Sequence, residues 1–216
     1  MKPILRAVPI VFLFLLALAV APRAQAQSVS AYFGAGIATD SACTSMMYCV
    51  DQDDYVTGNP GENAPKMTGA FGKIGGDFMF KSRLGFGVES DFKFSQGDYL
   101  GLGYRPIFFD FNAIYHPIPD DLTKGHFVPE FEGGVGSASI HSYYSQSSSL
   151  LGNYSELVGA STHFQVHGAI GVKLYAKGGI FLKPQVDVRY IPNFSQFGSN
   201  FVPEFTVSLG YTFGRK

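Results

Sequence analysis

Apolar and polar residues alternate along about half of the chain. The clearest segment is LGFGVESDFKFS at 84–95, where Phe86 and Val88 share one face while Glu89 and Asp91 share the other. A period of two residues is that of a β-strand with opposed faces, whereas a helix would spread these side chains around its circumference. Eight such segments predict eight strands, which occupy 29–37, 70–80, 84–95, 107–116, 127–135, 163–174, 180–190 and 201–213.

The connections between these segments are unequal in length. Long loops are predicted at 39–66 and 140–161, and tight turns near 81–83 and 176–179, with a further short connection near 97–101. Long loops on one side and mostly short turns on the other are typical of outer-membrane barrels, whose periplasmic turns are short.

The composition of the two faces indicates which one meets lipid. The apolar rows are almost entirely Phe, Leu, Ile and Val, which suits a hydrocarbon layer, whereas the polar rows are rich in Gly and charge. We therefore predict an all-β, eight-stranded antiparallel up-and-down transmembrane β-barrel, rather than a lipocalin-like soluble carrier with its apolar rows inside.

A sheet in lipid must pair all its backbone groups and so must close, and eight strands enclose a space that side chains fill. Charges buried there must pair, so we predict a lumen charge network rather than an open pore. Its members are Lys73, Asp77, Glu89, Asp91, Lys93, Asp110, Glu130, Glu132, Lys173, Lys183, Asp187, Arg189 and Glu204.

The first 26 residues have the three parts of a secretory signal peptide. Lys2 and Arg6 precede an apolar run over 9–21, and Ala24-Gln25-Ala26 fits a cleavage site. Cleavage would leave a barrel domain at 27–216. The predicted destination is the outer membrane, reached by export through the inner membrane.

The charge of the chain argues against nucleic-acid binding, and its cysteines predict a disulfide. The 216 residues are 15% charged with a net charge of −1, and no basic run offers nucleic acid a binding surface. Cys43 and Cys49 are the only cysteines, and in an exported chain this pair predicts a disulfide across CTSMMYC. No metal ligands accompany them in that segment.

The last predicted strand, FTVSLGYTF, carries a family resemblance. Gly210, Tyr211 and Phe213 resemble the aromatic-x-aromatic ending that the barrel-assembly machinery reads, although Gly214-Arg215-Lys216 follow the usual terminal Phe. The chain thus resembles the small OmpA/OmpX-type outer-membrane barrels over 27–216, without the peptidoglycan-binding domain. The resemblance implies outer-membrane lipid or lipopolysaccharide and the assembly machinery as partners, and a monomer.

Candidate chemistry is sparse. His163 and His167 share a strand face about 13 Å apart, too far to ligate one metal. Glu130 and Glu132 suggest a paired-carboxylate site, but ion pairing with inward bases accounts for them better. A lipid A deacylase-like enzyme would need a nucleophile and base, for which His141-Ser142 is the only contiguous pair.

We therefore expect neither catalytic residues nor cofactors. The predicted function is a structural or surface-interaction role through the long loops. A lipid-modifying enzyme and a narrow, porin-like channel are the alternatives.

Overall fold

The fold consists of strands and their connections. The computed structural model describes residues 28–39, 67–99, 102–118, 126–148, 152–176, 178–192, 194 and 199–214. Within these ranges no helix has the length and hydropathy needed to cross a bilayer. The strands are β1 (Ser28–Ala38), β2 (Gly69–Met79), β3 (Leu84–Lys93), β4 (Gly97–Tyr99), β5 (Leu102–Tyr115), β6 (Phe127–Ser148), β7 (Gly152–Tyr175), β8 (Ile180–Tyr190) and β9 (Phe201–Phe213).

Eight long antiparallel strands close into a barrel. The order is β3-β2-β1-β9-β8-β7-β6-β5-β4, and a β3–β5 pairing joins the ends of the sheet. The β1–β9 seam runs from Val29 opposite Phe213 to Ala38 opposite Glu204. The short strand β4 pairs only with β5, within the connection predicted near 97–101. The predicted fold class is confirmed.

The two ends of the barrel differ. At the turn end, residues 80–83 join β2 to β3 and residues 176–179 join β7 to β8. Gly178 takes a φ of 66° in the second turn, a left-handed conformation that favours glycine. At the opposite end, which we call the loop end, lie the β1–β2, β6–β7 and β8–β9 connections. The predicted long loop 39–66 lies outside the described residues except for Thr39.

The predicted long loop at 140–161 is wrong, because β6 and β7 run through it. They stay paired from Ile140 opposite Ser161 to Ser148 opposite Gly152, with a register shift between Ser142 and Tyr143. Ile140 is still buried at the loop end of the barrel, but β6 beyond Tyr143 and β7 before Val166 extend past their β5 and β8 partners. The two faces of this extension no longer separate lipid from lumen. The apolar and polar alternation therefore fades while the backbone ladder continues. We call residues 140–148 and 152–161 the β6–β7 wing.

Large apolar side chains cover the outside of the barrel. Phe86 on β3 is 48% exposed, whereas Glu89 on the same strand is fully buried. Outward aromatic residues also lie at the turn end, where Tyr115, Tyr211 and Phe213 are all exposed. Such exposure would be a liability in water but matches a lipid-facing band with an aromatic girdle.

The interior is filled by layers of side chains. At the loop end, an apolar cluster includes Phe71, Phe108, Ile191 and Phe194, all fully buried, with the Phe71 and Phe108 rings stacked at 5.7 Å. Charged groups fill the middle of the barrel. At the turn end, Phe181 and neighbouring hydroxyl groups complete the packing.

Two glycines make room for the inward aromatic rings. Tyr32 lies opposite both Gly75 and Gly210, and Phe181 lies opposite Gly210 from the other side. A Cβ at Gly75 would lie 2.4 Å from the Tyr32 ring, and one at Gly210 would lie 2.3 Å from the Phe181 ring. Both positions therefore require the absence of a side chain.

Gly210→Ala should destabilise the barrel by about 1–3 kcal/mol, because the added methyl group overlaps the Phe181 ring. Urea-induced unfolding in lipid vesicles, followed by heat-modifiable gel migration, measures the change. The control is Gly133→Ala, since nothing lies within 4 Å of a Cβ at that outward position. Its effect should stay within about 0.5 kcal/mol. Equal losses in the two variants would contradict the packing argument.

Candidate functional site in the barrel lumen

Thirteen charged residues meet inside the barrel. The inward rows of β2, β3, β5, β6, β7, β8 and β9 supply all members of the predicted set, and each is between 0 and 6% exposed. Inward positions alternate with lipid-facing ones along each strand, so side chains far apart in sequence converge on the axis. The set contains eight acids and five bases, which leaves an excess of three carboxyl groups.

Arg189 is one centre of the network. Its Nε donates to Asp110 Oδ2 at 3.0 Å, while Nη1 donates to Glu204 and Nη2 to Asp91. Its guanidinium carbon also lies 4.7 Å from the centroid of the Phe108 ring. Five N–H donors in a rigid planar fork suit arginine to bind three carboxylates at once. Arg189 thereby joins the ionic middle of the lumen to the apolar cluster at the loop end.

Lys73 is the second centre. Its Nζ lies 3.0 Å from Asp187 Oδ1, 3.3 Å from Glu89 Oε2 and 3.7 Å from Asp91 Oδ1. Tyr32 on β1 donates to the other Glu89 oxygen at 2.7 Å. Three carboxylates thus surround one ammonium group, which shares its charge among them.

Lys183 and Lys173 bind the carboxylates toward the turn end. Lys183 Nζ lies 2.8 Å from Glu130 and 2.6 Å from Glu132, so one ammonium bridges these two acids. Lys173 Nζ lies 2.6 Å from Asp77 and 3.0 Å from Glu130. The Glu130–Glu132 pair is therefore arranged for ion pairing, because lysines occupy the space that a reacting molecule would need.

Lys93 lies apart from these centres, near the loop end. Its ammonium group is 5.4 Å from the centroid of the Tyr104 ring. Attraction to an aromatic face is a common way to hold a partly desolvated cation.

A metal site is suggested by Glu89, His167 and Asp187, whose ligand atoms lie within 4.8 Å of one another. His167 Nδ1 is 2.9 Å from Asn112 Oδ1, and His167 Nε2 is 2.9 Å from Asp187 Oδ1. The Asn112 amide nitrogen donates to Glu132, so its oxygen is the atom left to accept from His167.

Both ring nitrogens of His167 therefore face oxygen acceptors, so a metal ion bound to this ring would have to displace one of these hydrogen bonds. The Lys73 ammonium already lies against the Glu89 and Asp187 carboxylates. The cluster is suited to hold its own cations rather than a metal ion.

Solved structures share this architecture, although no protein-family model and no curated protein matches the chain. A major outer membrane protein from Thermus thermophilus is similar with a TM-score of 0.55 at 11% identity, covering 88% of this chain and 100% of that one. This chain has the fold of the small eight-stranded outer-membrane barrels. Sequence identities this low establish similarity of fold and do not establish a shared function.

Two further outer-membrane barrels have similar structures. Ail, the attachment invasion locus protein of Yersinia pestis, gives a TM-score of 0.50 at 10% identity, over 88% of this chain and 100% of that one. Neisserial surface protein A gives 0.50 at 12% identity, over 86% of this chain and 96% of that one.

The other residues singled out from the sequence lie outside the lumen network of this outer-membrane barrel fold. Tyr211 and Phe213 are exposed on β9 with their rings 5.1 Å apart, whereas Gly210 faces inward beneath Phe181. The predicted signal peptide at 1–26 and the predicted disulfide partners, Cys43 and Cys49, lie outside the described residues.

His141 and Ser142 lie within β6 rather than in a loop, as neighbours on a strand. Consecutive strand residues point to opposite faces, so the pair is poorly arranged as a base and nucleophile. His163 contacts the Phe194 ring at 5.2 Å, whereas His167 belongs to the lumen network.

Several further polar residues complete the lumen network and are absent from the predicted site. Gln165 donates to Asp110 at 2.6 Å, Gln185 donates to Asp187 at 2.7 Å, and His116 contacts Glu130 at 2.8 Å. Their position on the polar rows is the signal that could have included them. Tyr32 is harder to recognise, because tyrosine suits a membrane girdle equally well, and only its place in the Ser30 row marks it as inward.

Arg189→Met should destabilise the folded barrel by about 3–5 kcal/mol, because it leaves Asp110 and Glu204 buried without their cation and leaves Asp91 with Lys73 alone. Urea titration of the protein in vesicles gives the difference. Arg83→Met is the matched control, since Arg83 is exposed in the β2–β3 turn and should change stability by less than about 0.5 kcal/mol. An Arg189→Met barrel as stable as the control would show that the lumen charges are not coupled through this residue.

Proposed function

We propose that the protein is an integral outer-membrane barrel with its turn end toward the periplasm and its loop end toward the outside. Exposed Phe, Ile, Leu and Val around a closed sheet support this location, because a lipid layer is the solvent that such a surface suits. The predicted signal peptide and the short turns support the same direction of insertion. We further propose a monomer that the barrel-assembly machinery recognises through Gly210, Tyr211 and Phe213.

Membrane fractionation tests the location. The mature protein should sediment with outer membranes, resist extraction without detergent and migrate differently on gels before and after heating, since a closed barrel resists unfolding by detergent. Recovery of the folded protein in the soluble fraction would contradict a lipid-facing exterior.

We propose that the lumen is structural and does not conduct. The charged middle layer lies beneath an apolar cluster that includes Phe71 and Phe108, both fully buried. An ion entering from the loop end would meet that apolar layer before any charged group. Planar-bilayer recordings should show no conductance steps, and regular steps that change with Lys73→Gln would favour a channel.

A lipid-modifying enzyme has less support. The residues paired beside His141 on the neighbouring strands are Arg105 and Ala160, neither of which offers the carboxylate that orients a catalytic histidine. His141→Ala should therefore leave the lipid A profile unchanged by mass spectrometry.

The observation that carries the functional proposal is the open edge of the β6–β7 wing. β8 pairs with β7 from Val166 onward. On the side of β7 away from β6, residues 152–162 therefore have no neighbouring strand among the described residues. Leu157 and Val158 on this edge are 54% and 55% exposed. Unpaired backbone groups beside exposed apolar side chains form a template for an added strand. We propose that the wing binds partners by pairing with an extended peptide segment.

The charge of the loop end favours a peptide over a polyanion. Ail has been solved in complex with the heparin analogue sucrose octasulfate. Here the predicted loop at 39–66 carries Asp40, Asp51, Asp53, Asp54 and Glu62. Such an acidic loop would repel sulfate groups, so the bound partner differs in chemistry.

Lysine substitutions on the open edge of the β6–β7 wing should abolish peptide binding. Phage-displayed random decapeptides selected on the protein in nanodiscs should bind the wild type and lose binding to Leu157→Lys/Val158→Lys, since charge blunts an exposed edge. Ile118→Lys, an exposed apolar position at the turn end, is the control and should retain binding. Selected peptides that bind all three proteins equally would contradict the role of the wing.

A further inference from the structure

Four adjoining residues on the inward face of β8 and β9 have side-chain oxygens without hydrogen-bond partners. Asp187 of β8 lies directly opposite Glu204 of β9, and the next inward pair toward the turn end is Gln185 opposite Thr206. Each side chain is at most 2% exposed, and the unpartnered atoms are Asp187 Oδ2, Glu204 Oε1, Gln185 Oε1 and Thr206 Oγ1. We call these four residues the oxygen square. Buried polar groups are almost always partnered in folded proteins, so four together require an explanation.

The neighbouring strands offer the oxygen square no side-chain donors. Across the β1–β9 seam, the positions opposite Thr206 and Glu204 are Gly36 and Ala38. Across the β7–β8 pairing, the positions opposite the other two residues of the square are Ala169 and Gly171. None of these four residues has a polar side chain. The square is therefore a patch of acceptors bordered on both sides by residues that cannot donate from a side chain.

The second oxygen of each carboxylate in the square is already bound. Asp187 Oδ1 lies 3.0 Å from Lys73 Nζ and accepts from the Gln185 amide nitrogen at 2.7 Å. Glu204 Oε2 accepts from Arg189. These bonds fix the orientation of both carboxylates and of the amide, while their other oxygens stay without a donor. Asp187 Oδ2 is thus distinct from the atom that faces Lys73 and His167.

The half of the lumen that contains the oxygen square has more acids than bases. Arg189 and Lys73 are its bases, and they contact five carboxylates, those of Glu89, Asp91, Asp110, Asp187 and Glu204. Lys183 also lies 3.6 Å from Glu89 but is bound more closely by two other carboxylates. A protonated His167 would offset one further charge. Two negative charges then remain, and one divalent cation would balance them at a position where uncompensated charge is costly.

The oxygen square offers oxygen ligands alone, from two carboxylates, an amide and a hydroxyl group. Such ligands suit calcium and magnesium, whereas copper and zinc favour nitrogen or sulfur. Four ligands from one patch of wall lie on one side of an ion. Calcium tolerates such an irregular arrangement because its coordination geometry is variable, whereas magnesium demands a near-ideal octahedron.

We propose that Asp187, Glu204, Gln185 and Thr206 bind a calcium ion inside the barrel, with water completing its coordination. The ion is enclosed as the barrel folds and neutralises the excess acid on this side of the lumen. The site does not depend on what the β6–β7 wing binds.

Metal content after refolding tests the site. The protein is unfolded in urea with EDTA and refolded into phosphatidylcholine vesicles with equal concentrations of CaCl2 and MgCl2. Gel filtration in EDTA then strips ions from the surface and from the acidic loop predicted at 39–66. Metal is counted by inductively coupled plasma mass spectrometry, and heat-modifiable gel migration reports folding of every sample.

E204Q/T206V removes one charge and one hydroxyl ligand from the oxygen square. D77N/T212V is the matched control, because it makes the same two losses at buried positions elsewhere in the lumen. The wild type and the control should retain about one calcium ion per barrel, with about ten-fold less calcium in E204Q/T206V and about ten-fold less magnesium in the wild type. Calcium should also raise the urea midpoint of the wild type and the control relative to EDTA, without a shift in E204Q/T206V.

Three results would overturn the site: a folded wild type without calcium, equal calcium in the wild type and E204Q/T206V, or equal calcium and magnesium in the wild type. A folded wild type without calcium would leave the proposed membrane location intact, since barrel closure is measured separately. Should E204Q/T206V fail to refold, T206V alone takes its place, because it keeps every charge and removes one ligand. Full calcium retention by T206V together with an unchanged midpoint shift would then count against the site.

Discussion

Hydrogen bonding of the backbone around a closed ring is the constraint on which this structure depends. A sheet edge cannot be left open in hydrocarbon, so β3 and β5 must meet and each long strand must have two neighbours across the membrane. With eight strands the enclosed space holds side chains and little else. The charges inside must then find partners among themselves, and Arg189, Lys73 and Lys183 each bind two or more carboxylates.

The same constraint ends at the rim of the barrel. Above it, water can satisfy the backbone, and residues 152–162 of β7 have no partner strand on the β8 side within the described part of the chain. The barrel thus carries two kinds of surface, a closed apolar wall that suits lipid and a wing with an open strand edge. Scaffold and interaction surface are parts of one continuous hairpin.

The sequence predicts the strands well where their two faces meet different environments, and poorly where they do not. Between residues 84 and 95, one face meets lipid and the other meets the lumen, so alternation predicts both the strand and the burial of Glu89. Between 140 and 161 that requirement is absent, and the same reasoning mistakes paired strands for a loop. The pairing partners within the lumen were not predictable, because Arg189 and Asp91 are 98 positions apart and meet only through the barrel's register. The pattern does not single out Tyr32, because a tyrosine suits an aromatic girdle at the membrane surface as well as the barrel lumen.

The separation in sequence of the lumen partners has a consequence for how the barrel forms. Lys73 of β2 contacts Asp187 of β8, and Ser30 of β1 reaches Thr212 of β9. A half-inserted hairpin would present lone ammonium and carboxylate groups to the bilayer, with their counter-ions still outside. Unpaired charges therefore oppose insertion strand by strand, which favours entry of a sheet whose first and last strands have already met.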